Sequence, residues 1–522
     1  MSIVIRKIKM INFKRFRNYT IEPNNRINIL VGDNETGKST VLEAIDLVSN
    51  GSIKAIDTIG LDSLLNIEAV KDFNEGPKSY ETLPKLIIEL YIDGDNLSHE
   101  LKGANNSDQN NTFGIRLVCE PNDDYRSEII EFISSSDNCF PYEFYSIQFT
   151  SFAGIPYTSY KKKVRSVLID STKMNTDYAT SDFIKRMYNQ YTETSIKERA
   201  LHKSQFRLMK NSFDLQVMNE LNERVPAEKG YAFGLKQGGA TDFEKNLMIY
   251  EDNISVSQKG TGKQIFIKTD FALDRIGENN DIVLIEEPEN HLSHNNLRKL
   301  IHLVANTQKG QLFITTHSSL ISARLEIKNL IILQSVGLGK PVTLKDLSDD
   351  TAKYFMKSPP AGIIEYSLSN KTILVEGPSE YMLMDLFYYK VTGHHPDSDG
   401  IQIIDIRGLS FKRYLEIAHL LHNKVAVITD NDGDIQNNII KKYSEYDSDD
   451  NIAVFYHEDT AQTTFEIVFY GCNKDLCDSL FGNNALEYML HNKTEAAYRI
   501  SMEDEQVTIP EYIESAITWI KD

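Results

Sequence analysis

The sequence contains few cysteines and no long hydrophobic run. Its four cysteines, Cys119, Cys139, Cys472 and Cys477, include no CxxC pair. This spacing argues against a structural zinc site and a disulfide-rich secreted fold, and it predicts free thiols in a reducing compartment. No apolar stretch reaches the roughly 18 residues that span a bilayer, and charges interrupt the N-terminal segment every few residues. We therefore expect a cytoplasmic protein that does not enter a membrane.

Positive charge is also scarce. The 522 residues include 56 lysines and arginines against 75 aspartates and glutamates, which gives a formal net charge of −19. This balance argues against a protein that coats DNA through bulk positive charge. A local basic groove on an acidic body stays open as an interpretation, and Lys161–Lys163 could line one or be a solvated surface run. The length predicts two to four domains.

A glycine-rich loop follows an apolar strand near the N-terminus. The strand is RINILV (26–31), and the eight residues after it match G-x-x-x-x-G-K-[ST] and lead into a helical stripe. In such a loop the backbone N–H groups surround phosphates, the lysine reaches the β- and γ-phosphates, and the serine hydroxyl binds Mg²⁺. The sequence therefore predicts a site for ATP with Mg²⁺ that includes Gly32, Asn34, Gly37, Lys38, Ser39 and Thr40.

Two later strands end in polar residues that would complete this site. DIVLIEEPE (281–289) ends its apolar run at Glu286 and Glu287, and QLFITTHSS (311–319) leads to His317. An acid at the end of a buried strand is costly unless it meets a cation or water. We expect Glu286 to support Mg²⁺, Glu287 to polarise the attacking water and His317 to contact the γ-phosphate.

Acidic residues also follow two predicted strands in the last third of the chain. One strand ends at Glu376, with Glu380 expected in the first turn of the next helix, and another ends at Asp430, Asp432 and Asp434. Residues two apart in an extended segment point the same way, so we expect Asp430 and Asp432 to converge. Carboxylates at one sheet edge are typical ligands of Mg²⁺ or Mn²⁺ and can support two-metal phosphodiester cleavage.

A stretch between these regions, from about residue 160 to 225, lacks glycine and has a helical pattern. Its apolar residues recur at spacings of three and four, which places on one face Phe206, Met209, Phe213, Val217 and Leu221. This face would either pack on its own domain or form a subunit interface, and the pattern does not decide between the two.

The phosphate-binding loop, the Glu286–Glu287 strand and His317 together resemble ABC-type ATPases, more closely their RecF/SMC-like branch. In that family two ATPase lobes enclose ATP, and a signature loop of one lobe caps the nucleotide of the other. The nearest match, Ser257–Gln264, departs from the S-x-G pattern because Ser257 and Gly260 are one residue too far apart. This departure puts strong hydrolysis in trans in doubt, but not ATP binding.

The acidic strands resemble a TOPRIM domain, with IIDIRG (403–408) as its middle strand and glycine turn. An ABC ATPase followed by TOPRIM resembles the OLD (overcoming lysogenisation defect) family of nucleases, and EEPENHL (286–292) is similar to that family's Walker B motif. Two late positions also match OLD enzymes of the Gabija type. The resemblance implies that Glu466 is a metal ligand, and that Lys493 neutralises the transition state or protonates the leaving oxygen.

The resemblance implies an α/β fold, an ABC-type P-loop ATPase domain with a helical dimerisation insertion followed by a C-terminal α/β TOPRIM domain. We expect the ATPase domain at 1–158 and 229–358, the insertion at 159–228 and the TOPRIM domain at 366–522. The SPPAG stretch at 358–362 is the expected linker.

The implied function is an ATP-regulated DNA endonuclease that needs Mg²⁺ or Mn²⁺ and cuts or nicks double-stranded DNA. The resemblance further implies a homodimer or larger assembly in anti-phage defence, with a second protein of the defence system as a partner. Three alternatives stay open. They are an ATP-dependent DNA clamp or repair ATPase of the RecF/SMC type without cleavage, a TOPRIM topoisomerase with a nucleophilic tyrosine, and, least favoured, an ABC transporter subunit.

Overall fold

The computed structural model describes residues 3–95, 97–135, 139–159, 161–170, 184–185, 187–189, 191–192, 196–225, 231–235, 242–274, 281–290, 292–306, 310–333, 340–357, 362–406, 410–503 and 507–522. The chain divides into two compact units, Met1–Leu30 with Gly37–Thr316, and Val31–Thr36 with His317–Asp522. None of the described helices is long and apolar enough to cross a membrane. Most of the expected linker, 358–361, and the expected turn at 407–408 lie outside the described residues.

Up to residue 316 the chain forms two larger sheets with surrounding helices. The strands are β1 (Val4–Phe13), β2 (Phe16–Ile21), β3 (Ile27–Val31), β4 (Leu86–Asp93), β5 (Lys102–Gly103), β6 (Thr112–Pro121), β7 (Tyr145–Ser151), β8 (Ser166–Asp170), β9 (Tyr250–Glu251), β10 (Ile254–Ser255), β11 (Ile282–Glu286) and β12 (Gln311–Thr315). The helices are α1 (Lys38–Asn50), α2 (Ile53–Ile59), α3 (Leu61–Leu64), α4 (Ile67–Glu75), α5 (Arg126–Ser135), α6 (Ile196–Phe213), α7 (Asn219–Asn222), α8 (Asp242–Lys245), α9 (Thr261–Asp274) and α10 (His294–Asn306).

The first sheet is antiparallel, in the order β2-β1-β4-β6-β5, with β7 also paired to β6. In the second sheet β3, β12, β11 and β8 are adjacent and parallel. The apolar residues of β3, β11 and β12 are buried almost without interruption, as expected for parallel strands that are covered on both faces. The strands that the sequence predicted at 26–31, 281–289 and 311–319 are confirmed.

The insertion expected at 159–228 begins differently from its prediction. Ser166–Asp170 is not helical but forms β8, which pairs in register with β11. The run SVLI is too short and too apolar to be assigned from periodicity, and the burial of Val167 and Ile169 in the sheet decides its conformation. The helical part is α6, which continues through a π-helical turn at Asp214–Met218 into α7.

The apolar face predicted for this helical part remains mostly exposed. Phe206 packs edge-on against Phe243. Met209, Phe213 and Val217 are 59%, 43% and 44% exposed. The first interpretation, in which the face packs on its own domain, therefore holds only for Phe206 at the start of the face.

From residue 317 onwards the chain forms a smaller α/β arrangement. Its strands are β13 (Leu330–Ile332), β14 (Val342–Thr343), β15 (Lys371–Val375), β16 (Ile401–Asp405), β17 (Lys424–Ile428) and β18 (Ile452–Phe455). Its helices are α11 (Ser319–Arg324), α12 (Asp349–Lys357), α13 (Ile363–Leu368), α14 (Pro378–Thr392), α15 (Phe411–Leu421), α16 (Lys441–Tyr443), α17 (Phe465–Cys472), α18 (Lys474–Phe481), α19 (Ala485–His491), α20 (Lys493–Ile500) and α21 (Glu511–Lys521).

Four of these strands form a parallel sheet in the order β16-β15-β17-β18. Helices connect consecutive strands, as parallel pairing requires. Helices α14 and α17 to α21 share one core with the sheet, which includes Phe387, Phe469 and Ile517. Residues 317–357 belong to this compact unit, whereas the sequence placed the end of the ATPase domain near 358.

Candidate functional site

The predicted acidic strand ends lie next to each other in the C-terminal sheet. Val375 at the end of β15 is in register with Ile428 at the end of β17, so Glu376 and Thr429 leave the same edge. The Thr429 hydroxyl donates a 3.0 Å hydrogen bond to Glu376 Oε2, and the backbone N–H of Asp430 donates one of 3.1 Å to the same oxygen. The structure therefore brings Glu376 and Asp430 together.

Glu380 enters the site from the helix that follows β15. Pro378 begins α14 and Glu380 is its third residue, as expected for a proline at the start of a helix. The Glu380 side chain is buried, and a Cβ atom at Gly377 would lie 3.2 Å from its Oε2. The carboxylate is thereby held inside the turn that connects β15 to α14.

Two further groups come from distant parts of the chain. Asp430 Oδ1 accepts a 2.8 Å hydrogen bond from the backbone N–H of Phe465, the first residue of α17. The second residue of α17, Glu466, is buried, and its Oε2 accepts a 2.9 Å hydrogen bond from the Lys493 ammonium at the start of α20. We call Glu376, Glu380, Asp430, Glu466 and Lys493 the acidic cluster.

Electrostatics confirm that these groups share one space. Burial, followed by the charges of Asp430, Glu466 and Glu376, raises the pKa of Glu380 to about 8. Burial and the charge of Glu376 raise the pKa of Asp430 to about 7. Burial alone would lower the pKa of Lys493, but its hydrogen bond to Glu466 and the surrounding carboxylates outweigh burial and raise it. All three pKa values are raised, and perturbed pKa values gathered in one place are typical of functional sites.

Asp432 and Asp434 do not lie where an extended segment would place them. Asp432 has φ +47°, a left-handed conformation, and its side chain is exposed, so the alternation assumed from the sequence ends after Asp430. Asp434 Oδ1 and Oδ2 accept hydrogen bonds from the backbone and side-chain amides of Asn437, which hold the pKa of Asp434 low. Their role as metal ligands remains a prediction.

The acidic cluster suits a divalent cation chemically, although its carboxylates are turned towards protein donors. Within the described residues no three His, Cys, Asp or Glu side chains already form a ready-made metal shell. Glu376, Asp430 and Glu466 each use one carboxylate oxygen for the protein hydrogen bonds given above, and in the described part of the chain their other oxygens accept none. Burial and mutual repulsion raise the pKa values of Glu380 and Asp430, and a hard cation would relieve the repulsion.

The sequence did not identify several groups around the cluster. Asn431 is buried, and its side-chain amide donates to the carbonyl oxygens of His457, Asp459 and Gln462, which holds the loop before α17. Burial and the charges of Asp430, Glu380 and Glu466 raise the pKa of Tyr512, so its phenol keeps its proton near the cluster. The N in the DND triplet is a signal that sequence reasoning passed over, but nothing in the sequence points to Tyr512.

The loop after β3 has the conformation that a phosphate-binding loop needs. The Thr36 hydroxyl donates a 2.9 Å hydrogen bond to the Asp33 carbonyl, and a Cβ at Gly32 would come within 2.4 Å of that hydroxyl. Gly37 has φ +98°, and a Cβ there would come within 2.5 Å of the Phe16 ring. Both positions therefore require glycine. The residues after the loop open helix α1, whose N-terminal N–H groups suit an anion, with Lys38, Ser39 and Thr40 in its first turn.

The other predicted nucleotide-binding residues lie at strand ends of the same parallel sheet. Strand β12 lies between β3 and β11, and Thr315 is in register with both Leu30 and Glu286. Glu287 has φ +40°, and its backbone N–H donates to the Thr315 carbonyl at 3.1 Å. His317 follows β12 two residues later, and Asn34 is exposed in the loop after β3. The carboxyl ends of adjacent parallel strands are the usual place for a ligand.

Two family models match the sequence. The model described as AAA ATPase domain matches residues 4–321, more than half of the chain. The model described as overcoming lysogenization defect protein-like, TOPRIM domain matches residues 368–432, from just before β15 to Asp432. The predicted order of an ATPase domain followed by a TOPRIM domain is confirmed. None of the curated proteins compared with the chain matches it.

Several solved structures are similar to parts of the chain. An SMC head bound to the C-winged helix domain of ScpA is 15% identical with TM-score 0.35, covering 66% of this chain and 100% of that one. RecF with ATP is 12% identical with TM-score 0.31, covering 61% and 92%. The C-terminal region of the Burkholderia pseudomallei OLD protein is 17% identical with TM-score 0.24, covering 30% and 98%. Because these TM-scores are low, only the family models bear on the assignment.

Proposed function

The chain belongs to the AAA ATPase domain family and carries an OLD-like TOPRIM domain, and from this we propose that it is an ATP-regulated, metal-dependent DNA endonuclease. The observation that carries the proposal is the acidic cluster, in which four carboxylates and one lysine from separate segments meet. An ATPase that works without cleaving DNA has no use for such a costly arrangement of buried acids.

The residues of the cluster divide the work of phosphodiester cleavage. Bound Mg²⁺ or Mn²⁺ supplies an attacking water of lowered pKa and stabilises the leaving oxygen. Glu376, Glu380, Asp430 and Glu466 would hold the cation, and Asp432 and Asp434 stay candidate ligands. Lys493 is half-exposed, so its ammonium can reach a phosphate that enters from solvent while its stem stays beside Glu466.

The nucleotide site regulates this chemistry. Lys38 and the helix N-terminus of α1 bind the β- and γ-phosphates, and Ser39 and Glu286 hold the accompanying Mg²⁺. Glu287 polarises the attacking water, and His317 contacts the γ-phosphate. ATP favours whichever state of the protein binds ATP more tightly. If that state cuts DNA, ATP promotes cutting, and if it does not, ATP restrains cutting.

A homodimer is supported by the helical part of the insertion. Met209, Phe213 and Val217 are 59%, 43% and 44% exposed along one face, which is a large apolar stripe for a monomer to leave in water. A second copy of the chain is the partner that we propose for it. The role in anti-phage defence and a second, Gabija-type protein partner rest on the family resemblance alone.

A plasmid assay tests the proposed function. Purified protein is incubated with supercoiled plasmid and Mg²⁺ or Mn²⁺, with and without ATP, beside Glu376→Gln and an EDTA control. We expect nicked or linear product only with wild-type protein and metal. ATP-dependent DNA binding without any metal-dependent product would favour the RecF/SMC-type clamp instead, and a covalent protein–DNA adduct would favour a topoisomerase.

A further inference from the structure

Only one of the two carboxylate oxygens of Glu376 is held by the protein. Its Oε2 accepts both the Thr429 hydroxyl proton and the Asp430 backbone N–H, at 3.0 and 3.1 Å. Among the described residues none donates a hydrogen bond to Oε1. The two donors fix the rotation of the carboxylate about its last bond, so Oε1 points away from Thr429.

A buried tyrosine lies behind this pair. Tyr443 ends α16, is 3% exposed, and its hydroxyl has no hydrogen-bond partner in the described part of the chain. Burial and the negative charge of Glu376 raise its pKa, and the nearby Thr429 hydroxyl opposes this rise only in part, so Thr429 is a polar group beside the phenol. A buried hydroxyl without a partner is destabilising, which calls for an explanation.

The Thr429 hydroxyl gives its one proton to Glu376 and keeps two lone pairs. The only proton that the Tyr443 side chain can offer is that of its phenol. A hydrogen bond from this phenol to a lone pair of Thr429 would link the two hydroxyls. The resulting chain of hydrogen bonds would run from a fully buried donor to a single oxygen of the acidic cluster, with each link polarising the next.

We propose that Thr429 and Tyr443 are positioning residues for Glu376. Tyr443 donates to Thr429, Thr429 donates to Glu376 Oε2, and Oε1 is thereby aimed at the divalent cation. The inference rests on the proposed function in one respect, that Glu376 is a metal ligand. Groups that orient a metal ligand typically change metal affinity about 10–100-fold when they are removed.

Direct titration of the full-length protein with Mn²⁺ tests this, by calorimetry without nucleotide or DNA. We expect Thr429→Val and Tyr443→Phe each to weaken Mn²⁺ binding about 10-fold, and Thr429→Ser, which keeps the hydroxyl, to stay within about 2-fold of wild type. Tyr19→Phe is the matched control, because Tyr19 is also buried with an unpartnered hydroxyl but lies in the other compact unit. It should bind Mn²⁺ as the wild type does.

Thermal unfolding distinguishes a variant that orients Glu376 poorly from a variant that folds poorly. Tyr443→Phe keeps the buried ring and removes only the hydroxyl, so the metal-free variant should unfold close to the wild-type temperature while its Mn²⁺ affinity falls. Wild-type Mn²⁺ affinity in both Thr429→Val and Tyr443→Phe would overturn the inference and leave the proposed function standing. Equal Mn²⁺ binding by wild type and Glu376→Gln would overturn the proposed metal site, and the inference with it.

Discussion

The Lys493 ammonium donates a 2.9 Å hydrogen bond to Glu466 across 27 residues of sequence. Glu466 is buried, whereas the Lys493 side chain is half-exposed. Lys493 therefore joins the buried acids to the solvent side of the site, where a nucleic acid backbone would arrive. A lysine in this position can neutralise the cluster before a cation binds and a phosphate afterwards.

This contact predicts a selective defect for Lys493→Ala. DNA cleavage at saturating Mn²⁺ should fall about 100-fold, the usual cost of removing one group that stabilises transition-state charge. Lys493→Arg keeps the charge and should retain more activity. Arg499→Ala is the control on the same helix, since Arg499 pairs with exposed Glu495 and lies over the Tyr488 ring, both outside the acidic cluster, and it should cut as the wild type does. A plasmid-nicking time course measures all three, and full activity of Lys493→Ala would remove the lysine from the mechanism.

The raised pKa of Glu380 predicts an unusual dependence of stability on pH. Burial holds this pKa near 8, above that of the unfolded chain, so the folded state retains a proton that the unfolded state has lost. Metal-free stability should therefore fall as pH rises from about 4.5 to about 8 and then level off. Glu380→Gln should flatten this decline and raise the stability at pH 9, by about 1.4 kcal/mol for each unit of pKa shift that it removes.

Thermal melts in EDTA from pH 5 to 9 measure this effect. Glu445→Gln is a suitable control, because Glu445 is exposed and pairs with Lys412 outside the cluster. An unchanged pH profile in Glu380→Gln would show that the charge of Glu380 is not what strains the metal-free site.

The sequence predicted the acids at strand ends because a buried apolar strand followed by carboxylates is a local pattern. It predicted Glu376, Glu380 and Asp430 at one sheet edge, and the structure brings these together. Glu466 and Lys493 were reached only through the family resemblance, because the contact of Asp430 with α17 joins residues 35 apart. The predicted position of Asp432 was wrong because it assumed an extended chain. A DxD pattern does not reveal that the second aspartate has a left-handed φ.

The longest misassignment, β8, has a similar cause. Its five residues carry no periodicity of their own, and their strand conformation comes from pairing with β11, more than a hundred residues later. Tyr443 could not be predicted at all, because its place behind Glu376 depends on how α16 packs under the strand end.

The phosphate-binding loop predicts that Lys38→Ala abolishes nucleotide binding. Lys38 is buried at the start of α1, where its ammonium is confined close to the loop. Affinity for a fluorescent ATP analogue should fall at least about 100-fold, while Lys54→Ala, an exposed lysine on α2, should change nothing. The variant also reveals the direction of regulation, because its cleavage rate should no longer respond to ATP. Wild-type nucleotide affinity in Lys38→Ala would contradict the assignment.

From the exposed apolar face of α6 and the π-helical turn, we predict that charged substitutions on this face disrupt the homodimer. Replacing Met209 and Phe213 with glutamate should convert a dimer to a monomer, because burying two unpaired charges in an apolar interface costs several kcal/mol. Light scattering after size-exclusion chromatography gives the mass directly. Lys210→Glu with Arg207→Glu, polar positions on the same helix, provides a charge control. A monomeric wild type would rule out this interface.

A crystal structure with Mn²⁺ tests the central claim most directly, through anomalous diffraction at the manganese edge. We expect an anomalous peak within coordination distance of Glu376, Glu380, Asp430 and Glu466, and its loss in crystals of Asp430→Asn. Manganese bound elsewhere in this unit, or crystals with no peak at a saturating concentration of Mn²⁺, would contradict the assignment of the acidic cluster as the cleavage site.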